Sequence, residues 1–330
     1  MAALTDSWSL AGISIPNRVV LAPLAGIGNW FVRLQARRHG AGLVVSEMVS
    51  SFAVHHQNER TCRELLRIHP DEHPVAMQLF GQDPDVMRSA AARVAQAGAD
   101  VIDLNMGCPV PKVCNTGAGA ALLDDPDRAV AVARAAHEGG GLPVTVKLRS
   151  GLRPGDRSGV VLARRLVEEA GVAAIAFHPR SAAVQHKGRP DYELAAQLVA
   201  SLPVPVIVSG GLRDADSARD AFERTGAAAV MLARGSLGNP WLFEQLLGRR
   251  TEEPAAAEIL AELDWVIDRA IEHLGEQRAA RFLRKFYPWY ATRLGASKAQ
   301  LETLTRTETT AAARALVRAL TAPETAVAAA

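Results

Sequence analysis

The chain has 330 residues, of which 48% are hydrophobic, and its formal net charge is only +2. This length fits an α/β barrel of roughly 250 residues with a smaller appended domain. The low net charge does not by itself indicate a nucleic-acid partner, so any such contact must come from local patches. The N-terminus lacks a basic start followed by an apolar run, and no apolar stretch reaches roughly 18 residues without interruption. We therefore expect a cytoplasmic protein without a membrane span.

Short apolar runs alternate with longer alanine-rich segments, which is the pattern of strands and helices around a parallel sheet. We predict eight strands, at residues 18–22, 42–47, 75–79, 101–104, 144–148, 174–177, 206–208 and 229–232. The helices predicted between them include 29–39, 84–97, 126–138, 159–170, 191–202 and 214–225. Eight such pairs favour a closed (β/α)₈ TIM barrel, with an open doubly wound sheet as the alternative.

A polar linker at residues 248–254 follows the predicted barrel domain of residues 1–247. Beyond it, apolar residues recur at helical spacing, namely Leu260, Leu263, Ile267, Ile271 and Leu274. This pattern predicts an all-helical domain at residues 255–320. We expect the last residues, 321–330, to be a disordered tail.

Cys108 follows the fourth predicted strand and stands between Gly107 and Pro109. Glycine lets a backbone or a flat ligand approach closely, and proline sets the chain direction just after the sulfur. This context favours a functional thiol, although free cysteines are more often small core residues. The chain has two other cysteines, Cys62 and Cys114, and no Cys-x-x-Cys pair. We therefore expect reduced thiols and no metal site.

Barrel enzymes place their active sites at the carboxyl ends of the strands. After the last two strands, Gly210, Gly211 and Gly235 would expose backbone N–H groups to a phosphate, with Arg234 supplying charge. These glycines could equally be ordinary turns. Lys147 emerges from an apolar strand, which predicts an anionic partner unless the strand end is simply solvated.

Three further polar side chains follow predicted strands. Gln78 and Asn105 carry amide groups that suit the polar edge of a flat heterocycle, or that could hold loop backbone instead. His178 could contact a phosphate or a ring nitrogen, or act as a structural hydrogen-bonding residue.

A basic and aromatic stretch lies in the predicted helical domain. Between Arg278 and Lys298 there are six basic residues, no acidic residue, and aromatic residues that include Tyr287, Trp289 and Tyr290. Such a surface could bind nucleic-acid bases or backbone. An amphipathic helix with an aromatic core face and solvated charges is the alternative.

Several motifs together resemble the tRNA-dihydrouridine synthases, from about Arg18 to Phe243. The matching segments are residues 21–26, Glu47-Met48, 78–81, 105–109 with Lys112-Val113 and 117–123, 147–151, His178 and 233–241.

The resemblance implies a flavoenzyme that reduces the C5=C6 bond of uridine in tRNA. FMN, reduced by NADPH, would deliver a hydride to C6, and Cys108 would protonate C5. The cofactor contacts predicted from the residues and the resemblance are Pro23, Leu24, Ala25, Gln78, Asn105, Lys147, His178, Ser209, Gly210, Gly211, Ala233, Arg234 and Gly235. The predicted tRNA contacts are Lys112, Arg149, Arg180, Lys187, Arg189, Arg281, Arg284 and Lys285.

This chain departs from the family's usual wording at three places. It has Ile27-Gly28-Asn29 where the family often has Val-Thr-Asp, Ser209 before Gly210 where Asn is usual, and Pro179 in place of the glycine of His-Gly-Arg. Pro179 removes one backbone donor near the expected phosphate or substrate site.

A thiol that donates a proton should remain protonated near neutral pH. We therefore expect Cys108 to lie without a close cationic partner that lowers its pKa. The alternatives are a flavin barrel that reduces a small free pyrimidine and a tRNA-binding factor without catalysis. The sequence does not fix the oligomeric state, and we expect a monomer.

Overall fold

A computed structural model describes residues 2–321 of the chain. Its strands are β1 (Trp8–Leu10), β2 (Ile13–Ile15), β3 (Val19–Leu21), β4 (Leu43–Val45), β5 (Val49–Ser50), β6 (Val75–Phe80), β7 (Val101–Met106), β8 (Val144–Arg149), β9 (Ala174–His178), β10 (Val206–Ser209) and β11 (Ala229–Leu232). Strands β3, β4 and β6–β11 pair in parallel, and β11 returns to β3, so the sheet closes. The predicted TIM barrel is confirmed and the open-sheet alternative is wrong.

The helices of the first part of the chain alternate with these strands. They are α1 (Trp30–Arg38), α2 (Ser51–His55), α3 (Pro84–Gln96), α4 (Pro111–Cys114), α5 (Pro126–Gly140), α6 (Ser158–Ala170), α7 (Tyr192–Ser201), α8 (Ala215–Thr225) and α9 (Trp241–Leu246), with shorter turns of 3₁₀ or π helix at Thr61–Leu65, Pro70–Glu72, Gly119–Leu123 and Arg234–Ser236. Local sequence explains where they begin. For example, the Asp83 side chain accepts hydrogen bonds from the backbone N–H groups of Asp85 and Val86 at the start of α3, where Pro84 needs no partner.

The interior at the amino end of the barrel is closed by a hairpin that the sequence analysis did not predict. Strands β1 and β2 pair antiparallel around Ala11 and Gly12, both with positive φ. Trp8, Leu10 and Ile15 of this hairpin belong to one buried cluster with side chains from inside the barrel. The hairpin therefore supplies bulk to a barrel whose interior includes several alanines.

The chain divides into two compact units, Met1–Gly235 with Leu242–Arg249, and Ser236–Trp241 with Arg250–Ala330. The second unit contains α10 (Ala256–Leu274), α11 (Glu276–Leu283), α12 (Tyr287–Arg293), α13 (Lys298–Thr305) and α14 (Thr310–Ala319). Most of the predicted tail, residues 322–330, lies outside the described residues. No helix within residues 2–321 is long and apolar enough to cross a membrane.

Candidate active site

The loop that carries Cys108 follows β7 and is held by its backbone. The Cys108 N–H donates to Asn105 Oδ1 (2.9 Å), and the Cys108 carbonyl accepts from the Ala120 N–H (3.0 Å) and the Cys114 thiol (3.2 Å). One residue earlier, the Gly107 carbonyl accepts from Arg149 Nε (2.9 Å). These contacts fix the position of Cys108, which is only partly buried. The fold thus presents this cysteine beyond the carboxyl end of a barrel strand.

Gly119 allows the chain to pass closely behind Cys108. Its φ is +64°, and a Cβ at this position would lie 2.8 Å from the Cys108 carbonyl oxygen. Any other residue would displace the loop or adopt a strained backbone. The close approach of this loop to Cys108 therefore explains why the matched segment 117–123 has a glycine at position 119.

A chain of hydrogen bonds runs from a buried carboxylate to Cys108. Asp103 accepts from Gln78 Nε2 and from Thr145 Oγ1, both at 2.6 Å. Gln78 Oε1 then accepts from Asn105 Nδ2 (2.9 Å), which leaves Asn105 Oδ1 to accept from Cys108. An ionised carboxylate can only accept hydrogen bonds, so Asp103 sets the orientation of both amides.

Asp103 is 2% exposed, and this burial has an electrostatic cost. Desolvation raises the pKa of Asp103 from 3.8 to about 6, although the hydrogen bonds from Thr145 and Gln78 and the charge of Lys147 act in the opposite direction. The carboxyl group is therefore mainly ionised at neutral pH and protonated in mild acid.

Lys147 lies on β8 without an ion pair to any carboxylate of residues 2–321. Burial, followed by the positive charge of Arg149, lowers the pKa of Lys147 from 10.5 to about 8, while Asp103 and Cys108 act in the opposite direction. A partly buried ammonium without a paired carboxylate is a favourable place for an anionic ligand.

Cys108 interacts electrostatically with Lys147 and Arg149 of β8, and this interaction raises the pKa of both cations. The expectation from the sequence about the surroundings of this thiol stays a prediction.

The loops after β9 and β10 meet around His178. Burial, followed by the charges of Lys147 and Arg149, lowers the pKa of His178 far below its usual value. The imidazole is therefore neutral, and its Nε2 accepts from Arg180 Nη1 (3.1 Å). Gly210 passes directly beside this ring, since a Cβ on Gly210 would lie 2.4 Å from Cδ2 of His178.

Two arginines predicted to contact tRNA have a different role in the fold. Arg149 is 4% exposed and donates to the carbonyls of Gly107, Ser181 and Gln185. Arg180 is 6% exposed and donates to His178 and to the Gly188 carbonyl. Because their donors face the protein interior, they join loops of the site and present little surface to an RNA backbone.

The other predicted tRNA contacts are more accessible. Lys112 is exposed on the short helix α4, and Lys187 and Arg189 are exposed in the loop after β9. In the second unit, Arg281 and Lys285 are exposed, whereas Arg284 is partly buried and its Nε donates to the Thr307 carbonyl (2.9 Å).

The remaining predicted cofactor contacts follow β3, β10 and β11. Pro23, Leu24 and Ala25 directly follow β3, Ser209 and Gly211 lie at the end of β10 and just after it, and Ala233, Arg234 and Gly235 follow β11. Ser209 Oγ donates to the Phe177 carbonyl (3.3 Å). A Cβ on Gly235 would lie 2.7 Å from the Leu212 carbonyl oxygen, so this glycine lets the last two loops approach each other.

Sequence reasoning missed several residues that organise these loops. Thr145 and Asp103 were not predicted, although a carboxylate inside an apolar strand is the same kind of signal as Lys147. Glu47 accepts from the Gly26 N–H (2.7 Å) and joins the loops after β3 and β4. Tyr192 donates to the Gly210 carbonyl (2.8 Å). The residues described here contain no cluster of His, Cys, Asp and Glu that could hold a metal ion.

Known proteins are similar to this chain over most of its length. The family model described as Dihydrouridine synthase (Dus) matches residues 20–326. The chain is 36% identical over 313 residues to tRNA-dihydrouridine synthase B of Pseudomonas aeruginosa, covering 92% of this chain and 93% of that protein. It is 32% identical over 290 residues to a probable tRNA-dihydrouridine synthase of Rickettsia bellii, covering 86% and 89% respectively.

Solved structures share the barrel at low sequence identity. A morphinone reductase in complex with tetrahydroNAD aligns with a TM-score of 0.55 and 18% identity, covering 78% of this chain and 94% of that chain. A 2-naphthoyl-CoA reductase complex aligns with a TM-score of 0.61 and 12% identity, covering 75% and 52%. These similarities concern the fold alone, whereas the family match spans nearly the whole chain, and the protein therefore belongs to the dihydrouridine synthase family.

Proposed function

We propose that this protein is an oxidoreductase that reduces the C5=C6 bond of uridine in tRNA. The observation that carries the proposal is the hydrogen-bonded chain from Asp103 through Gln78 and Asn105 to Cys108, beside the unpaired ammonium of Lys147. It brings amide groups, a positive charge and a thiol to one end of the barrel. The names of the relatives supply the substrate, since they are called tRNA-dihydrouridine synthases.

The site residues fit FMN as the cofactor. Arg180 Nε and Ser181 Oγ are buried without a hydrogen-bond partner among residues 2–321, and Lys147 lacks a paired carboxylate. Gly210 and Gly235 leave no room for a Cβ and keep the surrounding loops close together. We infer that Lys147, the loops after β10 and β11, and the amide of Gln78 hold the flavin and its phosphate. When bound and reduced by NADPH, the flavin supplies the hydride that no side chain can provide.

The protein's own residues would then orient the base and deliver a proton. The Cys108 S–H is the proton donor to C5 of the uracil, and its sulfur is left as a thiolate. Lys147 and Arg149 stabilise that negative charge because both are electrostatically coupled with Cys108. In this proposal the two cations favour the product of the proton transfer.

Recognition of tRNA is proposed to use the exposed basic residues of each unit separately. These are Lys112 on α4 with Lys187 and Arg189 in the loop after β9, and Arg281 and Lys285 in the helical unit. Arg149, Arg180 and Arg284 are left out of this set because their donors contact protein carbonyls or His178. Contacts of this type make affinity decrease steeply with salt.

The test is turnover of unmodified tRNA by the FMN-loaded protein with NADPH. We expect Cys108→Ser to lower the rate of dihydrouridine formation by about 10²- to 10⁴-fold, because a serine hydroxyl is a poorer acid, while NADPH still reduces the bound flavin. Cys62→Ser, in the π-helical turn outside this loop, is the matched control.

Equal rates for these two variants would refute the role of Cys108. A protein that binds no FMN on reconstitution would refute the cofactor assignment. Reduction of free uracil in preference to tRNA would instead favour a small-molecule reductase.

A further inference from the structure

A group of three aromatic rings, of which two are exposed and one is partly buried, lies on the short helix α2 and at its C-terminal end, outside the site described above. Phe52 is 63% exposed, more than the other large hydrophobic residues recorded as exposed in residues 2–321. Its ring lies 4.2 Å from that of His56, which in turn lies 4.7 Å from the ring of His55. We call Phe52, His55 and His56 the aromatic platform. Its rings give one surface patch both apolar and polar character.

The platform lies on the same end of the barrel as Cys108. Strand β5 pairs in parallel with the carboxyl end of β6, at Leu79 and Phe80, and α2 begins directly after β5. Gly81 contacts the start of α2 so closely that a Cβ there would lie 2.0 Å from Ser51 Oγ.

The next residue links this region to the catalytic loop. A Cβ on Gly117, which belongs to the segment after Cys108, would lie 3.3 Å from Cγ of Gln82. A continuous set of contacts therefore connects α2, the end of β6 and the loop that follows Cys108.

Buried residues of α2 anchor the platform, so its rings are held on packed structure and not on a loose loop. Val54 of α2 is fully buried, Ser51 is 2% exposed, and the Ser50 hydroxyl accepts from the Ala53 N–H (3.3 Å). The clustered rings of Phe52, His55 and His56, held at the end of the barrel that carries Cys108, form a surface on which a flat ligand can stack.

The chemistry of the patch favours a nucleobase over a protein surface. Flat rings stack on any base because every base has a π-face. A protein partner would need an interface of about 1,000 Å² or more, whereas one exposed phenylalanine beside two imidazoles offers far less. On the basis of the proposed function, we propose that the aromatic platform stacks an unpaired base of the tRNA next to the uridine being reduced.

The charged residues that follow the platform in the chain predict how its contribution to tRNA affinity depends on salt. Arg60 pairs with Glu64, and Arg63 pairs with Glu59 and Glu64, so the segment after α2 is partly neutralised. Stacking on Phe52 should therefore contribute affinity with little release of counterions. This separates the platform from the basic residues proposed to contact the phosphates.

The experiment compares Phe52→Ala with Val161→Ala, a control on the outer face of α6 at a residue that is 59% exposed. We expect Phe52→Ala to weaken tRNA binding by about 5- to 100-fold, with an unchanged slope of log affinity against log salt. The rate at which NADPH reduces the bound flavin should not change. Phe52→Trp should retain affinity, and its added indole emission should be quenched by tRNA.

Equal affinities of Phe52→Ala and Val161→Ala would overturn the proposal, as would a weaker affinity accompanied by a reduced salt slope. A change in oligomeric state without a change in tRNA affinity would assign the patch to a protein contact and also overturn it. If the wild-type protein forms dihydrouridine in tRNA and Phe52→Ala has the same tRNA affinity as the wild-type protein, only this inference fails. If the wild-type protein forms no dihydrouridine, the proposed function fails.

Discussion

The buried carboxylate of Asp103 should make the stability of this protein depend on pH in an unusual direction. Most carboxylates that are hydrogen-bonded in a fold have lowered pKa values and stabilise it as pH rises. Burial instead raises the pKa of Asp103 from 3.8 to about 6, so the folded protein holds this proton more tightly than the unfolded chain does. The contribution of Asp103 to stability is therefore complete below about pH 4 and is lost as pH rises towards about 6.

The expected size of this loss follows from the two pKa values. The change from 3.8 to about 6 corresponds to about 3 kcal/mol, at 1.36 kcal/mol per pH unit. Asp103→Asn removes the titration but can keep the hydrogen bonds, because the new carbonyl can accept from Gln78 while the Thr145 hydroxyl turns to accept from the new amide. The free energy of unfolding of the wild-type protein, minus that of the variant, should decrease by about 2 kcal/mol between pH 4 and pH 7, since part of the full difference is already lost at pH 4.

Urea unfolding of both proteins without added cofactor, followed by circular dichroism across this pH range, measures that difference. Asp103→Ala provides a second comparison, since it leaves the donors of Gln78 and Thr145 unpaired at every pH, at a cost of about 1–3 kcal/mol for each donor. A difference between the wild-type protein and Asp103→Asn that does not vary with pH would refute the reasoning.

Three further predictions test the electrostatics and geometry of the site. FMN affinity should fall as pH rises through about 8, where Lys147 loses its charge. Lys147→Met should weaken FMN binding by about tenfold or more and remove this pH dependence. Identical pH profiles of FMN affinity for the two proteins in fluorescence titrations would contradict this prediction. Gly210→Ala should lower the free energy of unfolding more than Gly226→Ala, because both residues have positive φ but only Gly210 lies against His178. Equal losses in urea unfolding would show that His178 moves aside without cost and would contradict this prediction. Lys187→Ala should reduce the salt slope of tRNA binding by about one, and an unchanged slope would place the RNA elsewhere.

The barrel could be predicted from the sequence because its parallel strands are buried on both faces. Each one is a short apolar run, and each predicted run coincides with a strand to within two residues at either end. The amino-terminal hairpin was missed although Trp8, Leu10, Ile13 and Ile15 alternate with polar residues on either side of a turn. Two strands of three residues are too short for such a pattern to stand out.

The site was harder to predict because a side chain's role depends on contacts between distant segments. Arg149 looks like a phosphate ligand in the sequence, but its guanidinium reaches carbonyls 32 and 36 residues away at Ser181 and Gln185. The same basic residue can bind RNA or join two loops, and only its burial distinguishes these roles. The aromatic platform was missed for a related reason, since nothing in the sequence marks Phe52 as exposed.

The charges buried at the end of the barrel explain why this site should select an anion. At neutral pH Lys147 is mainly protonated, with a pKa of about 8, and Asp103 is mainly ionised, with a pKa of about 6. Arg149 and Arg180 add two positive charges, whereas burial and these cations keep His178 neutral. The group therefore carries excess positive charge in a poorly solvated place, and an anionic ligand would relieve the repulsion between the cations. Because that ligand would also stabilise the charged form of Lys147, its binding should raise the pKa of this lysine and, near pH 8, cause partial uptake of a proton from solution.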